Sequence, residues 1–145
     1  NTNRLEVTVY YNEWPDVIEA ARKGGKSVAW SVSQGWDYTK LWRQRQGDFR
    51  DWRVLYNDAE IKVYNCTTGA LEVVLEMRGV PPNGQKRVLH NRAQSHDFPP
   101  GRLTTVTMGP VVLNPGDNRM ALTDPFWNRS QEPLLVDQLV IRPVR

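Results

Sequence analysis

From Trp52 to the end, turn chemistry interrupts this chain about every ten residues. The turn signals are Asn57-Asp58, Thr67-Thr68-Gly69, Pro81-Pro82-Asn83-Gly84 and Asn114-Pro115-Gly116-Asp117. Between them, apolar and polar residues alternate. Ala59 to Tyr64 (AEIKVY) places Ala59, Ile61 and Val63 on one face. Ala70 to Arg78 (ALEVVLEMR) does the same with Leu71, Val73, Leu75 and Met77. Period-two alternation bounded by turn residues is the pattern of short, half-buried antiparallel strands. Further strands are expected at 52–56, 86–91, 103–108, 111–113, 118–123 and 134–141. That rhythm predicts an all-β fold, an antiparallel jelly roll or β-sandwich of about eight strands.

The N-terminal part reads differently. Leu5 to Tyr11 (LEVTVYY) alternates like a strand, and Trp14-Pro15 breaks it. Asp16 to Lys23 spaces Val17, Ile18, Ala20 and Ala21 as a helix does, with Pro15 at its start and Gly24-Gly25 as its stop. One short N-terminal helix is therefore expected. Val28 to Val32 (VAWSV) is another strand, and 33–51 reads as an irregular polar stretch. The division that follows is a strand–helix lead-in over 1–29, packed on or leading into a jelly-roll module over 30–145.

The 145 residues suffice for one domain with a sizeable core. Hydrophobic residues make up 39% and charged residues 24%, a balance that excludes a disordered chain. No apolar run approaches the roughly 20 residues that span a bilayer as a helix. The opening Asn1-Thr2-Asn3 carries no Met, which suggests a piece excised from a longer protein. Net charge is +3, and the densest basic cluster is Arg43, Arg45, Arg50 and Arg53. Asp48 and Asp51 sit within it, so a salt-bridged surface is expected and no nucleic acid partner. Cys66, the single cysteine, has no internal disulfide partner and reads as a buried thiol.

Catalytic patterns are sparse. Ser95, His96 and Asp97 are consecutive, and triad members come from separate elements, so a polar loop explains them. Gly24-Gly25-Lys26-Ser27 follows a helix instead of opening one and lacks the first glycine of a phosphate loop, because position 20 is Ala20. No catalytic constellation and no cofactor is expected.

The six tryptophans are the more informative set. Trp36, Trp42 and Trp52 lie in or beside one polar stretch, and Trp127 lies in another; Trp30 reads as core. A loop tryptophan either stacks a sugar ring or plugs one end of a sandwich, and the sequence leaves both open. Polar partners for sugar hydroxyls stand nearby: Arg43, Arg53 and Asn57. Asp137, between Val136 and Leu139, is either the outward residue of an alternating strand or a carboxylate facing Ca2+.

Two segments carry a resemblance. One is Gly35-Trp36 with Trp52-Arg53 and Asn57 to Asn65; the other is Val112 to Asn118 with Val136 to Ile141. Over roughly 30–145 the chain resembles the extracytoplasmic C-terminal β-jelly-roll domains of bacterial polytopic membrane proteins, among them glycosyltransferases that use lipid-linked sugars. The resemblance implies an architecture like that of carbohydrate-binding modules. It implies an accessory, non-catalytic role and a periplasmic or cell-surface place, tethered by membrane segments of the same parent chain. Polysaccharide or lipid-linked sugar is the ligand it implies. A structural or protein-interaction domain without a ligand is the alternative, and a glycan-modifying enzyme is the third.

Overall fold

The structure is a computed structural model, and it describes residues 14–39, 52–56, 58–81, 86–92, 94–124 and 134–144. Side chains of 37–39 and of Trp52 are not part of that description. The expected strand Leu5 to Tyr11 lies outside the described residues.

One helix and ten strands are described: α1 (Trp14–Lys23), β1 (Val28–Val32), β2 (Trp36–Thr39), β3 (Trp52–Leu55), β4 (Asp58–Asn65) and β5 (Leu71–Val80). Then follow β6 (Arg87–Asn91), β7 (Gln94–Phe98), β8 (Thr104–Leu113), β9 (Gly116–Thr123) and β10 (Leu134–Pro143). They form two five-stranded antiparallel sheets, ordered β1-β4-β9-β6-β7 and β2-β3-β10-β5-β8. The fold is an antiparallel β-sandwich with one helix.

Alternation decides which face of each strand is inside. Ile61, Val63, Leu75, Met77, Leu89, Leu122 and Leu134 are fully buried in one core between the sheets. Removing each such side chain from water contributes about 1.5–3 kcal/mol. Two bulges keep the pattern in register. Opposite Val73 and Leu75 of β5, the strand β8 carries Val111 and Met108 with one residue more between them. In β10 the register shifts between Val136 and Gln138, so Val136 and Leu139 both face the core.

The helix lies on the outer face of the first sheet. Ile18 and Ala21 bury against Ala29 of β1, flanked by Trp14, Val17, Tyr64 and Cys66. Its end is a Schellman cap: Lys26 N–H donates to Ala21 O and Gly25 N–H to Arg22 O. Gly25 takes the left-handed φ of 70° that this cap requires.

Four expectations are corrected. The helix begins at Trp14, not at Asp16. Part of the supposedly irregular stretch is a strand, β2, held by pairing with β3. The polar segment around His96 is the edge strand β7, held by its hairpin with β6. Residues 103–108 and 111–113 belong to one strand, because Gly109 at φ 117° carries β8 through the bulge. β1 spans residues 28–32 and pairs along β4 as a strand of the first sheet.

Candidate functional site

Among the tryptophans expected to stack on a ligand, Trp36 is the one whose side chain is described. It starts β2, pairs with Leu55 of β3, and packs half-buried against the core. Its indole N–H is buried and has no hydrogen-bond partner among the described residues. Arg53 is half-buried and shares the Leu55 face of β3, so it stands diagonal to Trp36 on the inner side. Trp52 begins β3. Trp42, Arg43, Asn57 and Trp127 lie outside the described residues. The register thus places Trp36 and Arg53 on the inner face of the second sheet, both half-buried.

Asp137 sits in the bulge of β10, with its side chain 1% exposed. Arg78 Nε donates to one carboxylate oxygen and Nη2 to the other, each at 2.8 Å. The carboxylate weighed as a Ca2+ ligand is thus engaged in a bidentate pair. Among the described residues, no group of three or more His, Cys, Asp and Glu is arranged to hold a metal ion.

The strand assignment also separates the three consecutive polar residues. In β7, Ser95 and Asp97 share one face and His96 takes the other, so they do not converge. His96 Nε2 is buried without a partner among the described residues. Burial lowers the pKa of His96; Asp97 opposes the shift and His90 adds to it.

The aromatic surface that the sequence did not single out is on the outer face of the first sheet. Trp14, the first residue of α1, donates its indole N–H to Asp117 Oδ1 at 2.9 Å, 103 residues away. Lys62 Nζ lies 6.0 Å from the Trp14 ring centroid, close enough for a weak cation–π attraction. Next to it on β4, the Tyr64 ring receives the Arg22 guanidinium at 5.3 Å, and Arg22 Nη2 donates to the Tyr64 hydroxyl at 2.9 Å. On the other side, Arg119 Nη1 donates to Glu60 Oε1 at 2.7 Å.

The register explains this gathering. Lys62 pairs with Arg119 and Tyr64 with Asp117, so all four point outward from adjacent strands. Trp14 and Arg22, near the two ends of α1, then fall onto them. The signal available in the sequence was the polar half of the β4 alternation: Glu60, Lys62 and Tyr64. Trp30 and Trp36 pack against the main core, whereas Trp14 stands with the helix on the outside. An anchored indole amid Lys, Arg, Glu and Asp side chains offers an apolar rim and hydrogen-bonding groups of both kinds. That combination is chemically suited to a ligand with apolar C–H faces and hydroxyl edges.

No family model matches the chain. No curated protein matches it. A solved structure similar to it is that of the Podospora anserina GH26-CBM35 beta-(1,4)-mannanase, 16% identical with a TM-score of 0.48. The match covers 83% of this chain and 25% of that one, so the chain spans a quarter of that protein's length.

Proposed function

We propose that this chain is a non-catalytic accessory module that binds polysaccharide or a lipid-linked sugar on the outer face of its first sheet. The observation that carries the reading is Trp14, fixed by its N–H to Asp117 and bordered by Lys62. In this role the indole stacks on a sugar face, while Lys62, Arg119 and Glu60 meet hydroxyls. The resemblance of residues 30–145 supports an extracytoplasmic place, with the membrane segments of a parent chain as tether.

A glycan array followed by calorimetry on the best-bound oligosaccharide tests it. Trp14→Ala should weaken binding at least ~10-fold, the equivalent of about 1.4 kcal/mol. Trp36→Phe, on the inner face of the second sheet, should leave affinity unchanged. An array without a bound glycan, or affinity indifferent to Trp14→Ala and Lys62→Ala, overturns the proposal.

A further inference from the structure

The first sheet ends at β1, whose backbone edge is open among the described residues. Ser33 N–H donates to Glu60 O at 2.9 Å, and Cys66 N–H donates to Ser27 O at 2.8 Å. With the register Val28↔Asn65 to Val32↔Ile61, the odd-numbered residues turn their backbone groups toward β4. The N–H and C=O groups of Val28, Trp30 and Val32 therefore point off the edge.

Edge strands in native proteins are usually blunted by charge, Pro or a bulge. The edge strand β7 carries His96 and Asp97, whereas β1 reads VAWSV, with no charge, no Pro and no register shift. A cleft of about 260 Å3 runs beside it, lined by Val17, Ala20, Ala21, Ala29, Trp30 and Lys26 among others.

We propose that β1 is an association edge and that its partner is β1 of a second copy, joined antiparallel about a two-fold axis through Trp30. A two-fold interface demands that residue i meet j while j meets i. The strand satisfies this in sequence and in hydrogen bonding. Centring on Trp30 sets Val28 against Val32 of the second copy and Ala29 against Ser31 of the second copy. Both Val pairs and the Trp30 pair then use the outward-facing N–H and C=O groups. The outward side chains crossing the seam are Ala29 and Ser31, small enough to pass beside the cleft under α1. Charge is compatible too, because the register sets Lys26 against the neutral Gln34 of the second copy. The two first sheets become one ten-stranded sheet, and the Trp14 surfaces of both copies face the same side.

Sedimentation equilibrium of the chain from micromolar to millimolar concentration tests this. A monomer–dimer equilibrium is expected. Ser31→Lys sets like charges diagonally across the axis and should weaken the dimer roughly 100-fold. Val32→Pro removes an outward N–H without touching the ladder to β4, and should do the same. Ser31→Ala should dimerise like the parent. Hydrogen exchange on the unmodified chain gives an independent readout. The amides of Val28, Trp30 and Val32 should gain protection as concentration rises, while those of Ala29 and Ser31 stay protected throughout. A monomer at all concentrations, a dimer indifferent to Ser31→Lys, or concentration-independent exchange at the three amides overturns the proposal.

Discussion

Arg87, at the start of β6, and Asp124, just beyond β9, form an ion pair whose side chains are 1% and 3% exposed. Arg87 Nε donates to Asp124 Oδ2, and its Nη2 donates to the Tyr56 carbonyl at 3.0 Å. Burial lowers the Arg87 pKa, while the bond to Asp124 opposes that fall. The pair closes the end of the sandwich where β3, β6 and β9 meet.

Breaking such a pair costs more than replacing it. Asp124→Ala leaves a guanidinium buried without its carboxylate and should destabilise the fold by about 3–5 kcal/mol. Adding Arg87→Met should recover most of that loss. Urea unfolding of the two single variants and the double variant gives the coupling energy directly. Additive losses would show that the two groups act independently.

The Arg78–Asp137 pair is a more local contact, with Arg78 36% exposed. Asp137→Asn should cost about 1.5–3 kcal/mol, the range for hydrogen bonds to charged groups. Both carboxylate oxygens already accept from Arg78, so millimolar Ca2+ should leave the melting temperature where it is. An upward shift that grows with Ca2+ and disappears in Asp137→Asn would reveal a cation site there.

His96 gives the fold a sensitivity to acid. Burial holds its imidazole below the ordinary 6.5. The unfolded chain therefore takes up a proton at a higher pH than the folded chain does. Stability from this group is fully present above about 6.5 and is lost as pH falls below it toward the lower folded value. The melting temperature should drop across that window, and His96→Leu should flatten the slope. An unchanged slope in the variant would assign the acid loss to other groups.

Gly35 is the tightest glycine contact in the turn between β1 and β2. Its φ is 84°, and a Cβ there would stand 1.8 Å from the Asp58 carbonyl oxygen. Backbone, not a movable side chain, blocks the space. Gly35→Ala should destabilise by ~4 kcal/mol or more. Thermal melts would settle it, since a loss under about 1 kcal/mol would mean that the turn relaxes.

The sandwich was legible where burial and sequence share a period. In β4 from Ala59 and in β5 from Val73, every second residue is buried as the alternation predicted, with Leu71 partly buried. The elements missed are those whose order comes from partners far away in sequence. β2 has four residues and gains its register from β3. β7 buries only Phe98 among five residues, so no apolar alternation marks it. Met108-Gly109-Pro110 reads as a strand break in one dimension, and only the opposing β5 shows it to be a bulge. Trp14 was read only as part of the break that ends the first strand, because nothing local announces a partner 103 residues away. The placement of Trp36 and Arg53 on one inner face comes from the β2–β3 register, which no local pattern in 33–51 announces.

Cys66 packs half-buried beneath the α1 cluster, beside Tyr64. The helix is moored at Trp14 and at Arg22 by single hydrogen bonds to the sheet. A thiol reagent reaches this sulfur most readily when the strap lifts, so labelling speed clocks that opening without any engineered probe. Cutting either mooring should quicken the clock long before the sandwich itself comes apart.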